Sequence, residues 1–219
     1  MLTVWTMNTG GHAPDSEVYT LKRQVDRHLT EPHIFICITE KKIDSITTLT
    51  PPNGLPGWWG KVNLFGPTVS HTRNLWLDLD VCITGGLDSL VTPLIKGKQL
   101  RAAKNWAQSG HNSVQSSVMY WEGDSAQIIS DTFDHKDAHW PPRNDLFWDN
   151  GQVAWGDQEW ATYLRDTGQI EVEYFPTASI KSYKYHLRQG LTDHCRVAVF
   201  HGKPNPADVN DDWVKQCRA

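Results

Sequence analysis

The sequence has no apolar run near the roughly 18 residues needed to span a membrane. Its first residues, Met1 to Thr6, lack the basic and apolar segments of a secretion signal, so a cytoplasmic location is expected. The four cysteines, Cys37, Cys82, Cys195 and Cys217, show no CxxC spacing, which leaves no metal ribbon or dithiol motif to consider. Cys37 lies inside an apolar run and Cys82 and Cys195 border others, as buried free thiols do. There is no large excess of charge: a net charge of -4 and a pI of about 6.2 argue against a broad polyphosphate-binding face. No repeat, low-complexity stretch or linker interrupts the chain, so one domain over residues 1–219 is expected. A nucleotidyltransferase would show a glycine-rich, basic phosphate loop near its first strand. Asn8-Thr9-Gly10-Gly11 is too short and uncharged for that role.

Eleven tryptophans are present, which is unusual at this length. Most are expected to anchor core or loops, while Trp58-Trp59 and Trp140, in Gly/Pro-rich stretches, could be stacking platforms for a sugar or base. Leu2 to Met7 reads as a strand, followed by the Asn8 to Gly11 turn. Val18, Leu21, Val25 and Leu29 recur at helical spacing, and His33 to Thr39 is a continuous apolar run suited to a buried parallel strand. Strand, helix and strand within about 40 residues form a βαβ unit, and nucleotides bind such sheets beyond the carboxyl ends of the strands. Further along, residues 50–60 read as a loop, 75–81 as a strand, 125–133 and 157–166 as helices with Gly168 as a stop, 134–152 as a second loop, and 196–200 as a last strand.

Within the strand predicted over Leu75 to Val81, Asp78 and Asp80 stand two apart. On a strand they share one face, roughly 7 Å from each other. Burying such a pair is costly unless a cation or hydrogen bonds compensate it. They either converge on one hard divalent ion that also meets a diphosphate, or cap the strand end by bonding loop amides or a lysine. His201 precedes a Gly202-Lys203-Pro204 turn, where Gly202 permits close backbone approach and Lys203 offers a charge suited to phosphate. An imidazole beside two carboxylates would favour Mn²⁺ over Mg²⁺, although His201 could equally be a loop histidine bonded to a carbonyl. Asp157 and Gln158 open a predicted helix, where Asp157 either caps it or faces a sugar with Gln158. Ser116 and Ser117 form a small-residue turn before an apolar strand and either pack or border a pocket. Ile180 to Lys184 is a polar, basic loop that could hold phosphate or acceptor, or simply be solvated.

Taken in order, Trp59-Gly60-Lys61-Val62-Asn63-Leu64-Phe65, Leu77-Asp78-Leu79-Asp80-Val81, Ser116-Ser117-Val118-Met119, Gly156-Asp157-Gln158-Glu159 and Phe200-His201-Gly202-Lys203-Pro204 resemble the GT-A glycosyltransferases related to retaining family eight, the small bacterial and phage-encoded members most of all. The resemblance covers residues 58–206. It implies an α/β fold: a Rossmann-like mixed central sheet flanked by helices. It also implies a UDP-sugar donor, with Mn²⁺ or Mg²⁺ on Asp78, Asp80 and His201. Lys61, Asp78, Ser116, Ser117, Gly202 and Lys203 would bind the donor, and Asp157 and Gln158 the transferred sugar. Transfer with retention, by front-face attack of the acceptor hydroxyl, is the implied chemistry. Gln115 stands where the family usually has Asn, and the carboxyl-terminal motif is shorter than the family's His-x-x-Gly-x-x-Lys-Pro-Trp.

The resemblance leaves the acceptor open. A carbohydrate or surface glycan is the main expectation. A hydroxymethylated pyrimidine in DNA is the alternative, which needs a flipped or accessible base and a basic track. Lys96, Lys98, Arg101 and Lys104, with Trp106 beside them, form the densest basic cluster and could supply such contacts or a solvated face. A non-catalytic carbohydrate-binding module would suit the tryptophans but would not need Asp78, Asp80, His201 and Lys203 together.

Overall fold

A computed structural model describes residues 1–51, 54–55, 57–67, 73–106, 113–139 and 145–219. Strand β1 (Leu2–Met7), helix α1 (Asp15–His28) and strand β2 (His33–Ile38) form the expected βαβ unit, with β1 and β2 parallel and Leu2 opposite His33. A seven-stranded sheet grows from them in the order β3-β2-β1-β4-β7-β6-β8. Here β3 is Thr47–Leu49, β4 Arg73–Leu77, β6 Leu100–Lys104, β7 Val114–Glu122 and β8 Val172–Tyr174. Strands β3, β2, β1 and β4 run parallel, β7 is antiparallel to both β4 and β6, and β8 runs parallel to β6, so the sheet is mixed.

The central strands bury both faces. Leu2, Val4, Leu75, Leu77, Val118 and Tyr120 pack on the side of α1, with Val18, Leu21 and Val25. Trp5, Trp76, Met119 and Trp121 face the other way, toward α2 (Ile128–Asp131) and α3 (Asp157–Asp166). A second sheet, in the order β5-β10-β9, joins β5 (Val81–Ile83), β10 (Val197–Val199) and β9 (Ile180–Ser182); α4 (Asp212–Arg218) packs Val214 and Cys217 on it. All four cysteines are buried and free. No helix among the described residues is long and apolar enough to cross a membrane.

Several local expectations change. The strand predicted to run through Val81 stops at Leu77: Asp78-Leu79-Asp80 is a turn, and the chain re-enters a different sheet at Val81. Part of the stretch read as a loop over 50–60 belongs to a buried 3₁₀ helix, Gly57–Phe65. Ser116 and Ser117 do not form a turn. They lie inside β7, where the register against β6 shifts between Ala102 and Ala103. The helix expected over 125–133 is only α2, and the basic loop at 180–184 is β9 running into a π-helical turn, Tyr183–Leu187. Trp140 lies outside the described residues.

Candidate functional site

The carboxyl ends of β1 and β4 open onto a cavity with two lobes that share Trp58, Lys61, Asp78 and Asp80. The larger lobe, of about 510 Å³, is formed by the turn after β1, the start of α1, Trp76 and the Asn205–Ala207 segment. That turn needs its glycines, because Gly10 and Gly11 both adopt positive φ (63° and 68°). Asn8 ties the turn to the helix start by donating Nδ2–H to the Ala13 carbonyl at 3.0 Å and accepting from the Ala13 amide at 3.3 Å. The smaller lobe, of about 280 Å³, lies among Ser116, Ser117, the first turn of α3, His201 and Gly202.

The Asp78–Asp80 turn is fixed from two sides. The Asp78 amide donates to the Ser117 carbonyl in the large sheet (2.9 Å), and the Phe200 amide donates to the Asp80 carbonyl beside the small one (2.9 Å). The Asp78 carboxylate accepts from the Trp76 indole (2.9 Å) and pairs with Lys61 Nζ at 2.8 Å. Lys61, delivered by the 3₁₀ helix and 6% exposed, also donates to Ser116 Oγ (3.3 Å) and stands 3.7 Å from Asp157. Burial opposes its charge, but the carboxylates of Asp157 and Asp78 outweigh that and hold the ammonium above its ordinary value.

Asp80 contributes a buried Oδ1 with no hydrogen-bond partner among the described residues. Loss of water, then the Asp78 charge, push its pKa up to about 8. Asp157 Oδ2 is likewise buried with no hydrogen bond among the described residues, and burial raises that carboxyl too, with Lys61 and the Ser116 hydroxyl working the other way. Two carboxylates on one turn, one with an orphaned buried oxygen, suit an oxygen-seeking divalent cation. Among the described residues no group of three or more His, Cys, Asp or Glu side chains is assembled to hold a metal ion. His201 lines the same lobe as Asp80, but its Nε2 accepts from the Trp106 indole (2.9 Å) and is bonded to Ser182 Oγ (2.7 Å). Tyr185 stacks on its ring, and burial, then the Lys184 charge, hold the imidazole below its ordinary pKa.

Asp157 does not cap α3; Gly156 occupies that position and Asp157 is the first helical residue. Glycine is required there by contact, since a Cβ would lie 2.5 Å from Trp58 Nε1, which donates to the Trp155 carbonyl at 3.2 Å. Gln158 lines the smaller lobe and donates to Glu159 at 2.8 Å. Burial raises the Glu159 pKa to about 6. The register shift in β7 aims Ser116 and Ser117 at this lobe, with Gln115 clamping Ser117 at both its amide (2.9 Å) and its hydroxyl (2.7 Å).

Other predicted residues lie elsewhere. Lys203 lines neither lobe, being 78% exposed at its side chain and paired with Asp208 at 3.1 Å. Of the basic cluster, Arg101 is buried, bonding the Leu90, Thr92 and Pro93 carbonyls and Glu173, and Lys98 pairs with Glu171 at 2.8 Å; neither is presented as part of a track. Trp59 is fully buried against Phe133, whereas Trp58 and the 44% exposed Trp155 do reach the cavity. Sequence reasoning missed Trp76, Glu17 and Asn205–Ala207 as cavity walls, because a wall position leaves no motif.

No protein-family model matches the chain, and no curated protein is detectably similar to it in sequence. Solved structures are similar in fold. The galactosyltransferase LgtC, determined with donor and acceptor sugar analogues, superposes with a TM-score of 0.66 at 10% identity, over 99% of this chain and 95% of that one. The glycosyltransferase GlyE of Streptococcus pneumoniae TIGR4 gives 0.70 at 12% identity, over 100% of this chain and 61% of that one. A glycosyltransferase involved in glycosylating the major capsid of PBCV-1 gives 0.56 at 11% identity, over 99% and 98%. At such identities the likeness establishes the architecture, which is GT-A: a mixed central sheet flanked by helices, as the sequence resemblance implied.

Proposed function

We propose that the protein is a glycosyltransferase that moves a sugar from a nucleotide-sugar, a UDP-sugar, to a hydroxyl of a glycan, with retention at the anomeric carbon. The observation that carries this reading is the Asp78–Asp80 turn, which joins a nucleoside-sized lobe to a sugar-sized one and holds an orphaned carboxylate oxygen at their junction. The larger lobe receives the nucleoside against Trp76 and Pro14, and the smaller one receives the sugar. Mn²⁺ or Mg²⁺ bound at Asp78 and Asp80 would supply positive charge to the leaving diphosphate. His201, which lines the same lobe, would join that set only by giving up the bonds its Nε2 makes to Trp106 and Ser182.

Lys61 orients Asp78 and Asp157 by its ion pairs, and both side chains line the smaller lobe, where the donor's hydroxyls would meet them. Asp157 and Gln158 position the sugar. The bond from the anomeric carbon to the diphosphate breaks and its electron pair leaves with the phosphate. The acceptor oxygen bonds to that carbon from the same face, and the hydroxyl proton passes to the departing phosphate oxygen. The LgtC, GlyE and PBCV-1 capsid relatives support a glycosyl-transfer reading. The pairing of Lys98 with Glu171 at the surface and of buried Arg101 with Glu173 favours a glycan over DNA.

Thermal denaturation with UDP-sugars, in the presence and absence of Mn²⁺, tests the donor half. Stabilisation should require the ion and disappear in Asp80→Ala. Stabilisation independent of metal, or retained by Asp80→Ala, would overturn the assignment.

A further inference from the structure

A third cavity, of about 140 Å³, lies between the end of β6 and β9 and shares no lining residue with the two lobes. Its walls include Lys104, Trp106, Phe175, Lys181 and His186. Lys98 and Arg101, the neighbouring cations, are matched by Glu171 and Glu173. Lys104 and Lys181 have no carboxylate within ion-pair distance among the described residues. His186 adds a third donor: its Nδ1 accepts from the Ser182 amide at 3.1 Å, so the ring proton sits on Nε2. Among the described residues, the titratable side chains that line this cleft all carry nitrogen donors and none is a carboxylate. That composition selects an anion.

The cleft and the smaller lobe stand back to back across one hydrogen-bonded pair of side chains. Trp106 forms its wall while donating its indole N–H to His201, and the two ring centroids lie 5.9 Å apart. The indole stands edge-on to His186 at 6.2 Å, giving the cleft an aromatic side as well as a cationic one. Sites for drug-sized ligands run from about 300 Å³ upward, so a 140 Å³ cleft, half the volume of the smaller lobe, takes the charged end of one saccharide unit and not a nucleic-acid strand.

We infer that this cleft is an acceptor subsite for a saccharide bearing a carboxylate or phosphate, held by Lys104, Lys181 and His186 against Trp106, so that a hydroxyl of the adjoining sugar reaches the lobe at His201. The inference rests on the glycosyl-transfer reading for its role, but binding to the cleft is measurable without transfer.

The experiment is calorimetric titration of the protein, alone and saturated with UDP and Mn²⁺, with glucuronic acid, glucose 6-phosphate and glucose, and with a hydroxymethylcytosine-containing oligonucleotide as a fourth arm. At least one charged sugar should bind more tightly than glucose. Lys104→Ala and Lys181→Ala should each weaken it about tenfold while leaving UDP binding unchanged. Whichever charged sugar binds decides between carboxylate and phosphate. Lys104→Glu should abolish binding, and matching melting temperatures would show the variants are folded. Equal affinity for charged and neutral sugars, no binding of either charged sugar, or lysine variants that bind like the unaltered protein would overturn the inference. So would displacement of the charged sugar by UDP, which places it in the donor cavity, or lysine-dependent binding confined to the oligonucleotide. Failure of UDP to bind while lysine-dependent sugar binding persists would count against the donor reading and not against the cleft.

Discussion

Lys61 stands within reach of two carboxylates in a setting that admits almost no water. Removing one member of such a buried set leaves charges without compensation, a loss of about 3 kcal/mol. Lys61→Met should lower stability by that order in urea denaturation and abolish donor binding in the same preparation. Glu159 gives a second residue-scale prediction. Its folded pKa, about 6, lies above its ordinary 4.5, so the stability it contributes is present in full below pH 4.5 and is lost as pH rises through 6. Unfolding free energy should fall by at most about 2 kcal/mol across that window. Glu159→Gln should remove this component of the slope; equal slopes in the two proteins would refute the assignment.

At the scale of elements, the two ends of α3 respond to substitution in different ways. The helix stops in a Schellman arrangement, with the Gly168 amide donating to the Arg165 carbonyl (3.0 Å) and the Gln169 amide to that of Leu164 (2.8 Å), at φ +73 for Gly168. Gly168→Ala should cost about 1 kcal/mol in denaturation and leave ligand binding intact. Gly156→Ala must move Trp58, a wall of both lobes, and should lose about 1–3 kcal/mol together with donor affinity. The bounds of this helix and of β1 were legible in the sequence to the residue, whereas α1 showed only as a helical period from Val18 to Leu29 and β2, expected over His33 to Thr39, stops at Ile38; all four carry enough turns or alternations for a period to register. The three-residue strands β3, β5, β8 and β9 carry too few. The break at Asp78 was invisible for another reason: Val81 to Ile83 is as apolar as Leu75 to Leu77, and only pairing partners show that the two belong to different sheets. Asp78, Ser116 and Asp157 were singled out from separate stretches and Lys61 through the family resemblance, and the four meet in one cluster. Lys203 was chosen for its charge, which Asp208 satisfies locally.

At the scale of the whole molecule, the cavity is built where two sheets and α1 meet, and α1 is braced from behind. Arg218 of α4 makes a paired bond to both oxygens of Glu17 at 2.8 Å, and Glu17 itself borders the larger lobe. Arg218→Ala should reduce stability by about 1–3 kcal/mol and weaken nucleotide binding without altering its metal dependence, measurable in one set of melting curves.

The turn between β4 and β5 has a mechanical side as well. One of its aspartates is registered to the large sheet through Ser117 and the other to the small sheet through Phe200, so the gap between their carboxyl groups gauges how the two layers sit against each other. A cation gripping both would act as a rivet. Amide hydrogen exchange in β5, β9 and β10 should slow when Mn²⁺ is added, and Asp80→Asn, which loosens the rivet on one side only, should return those strands to their metal-free rates.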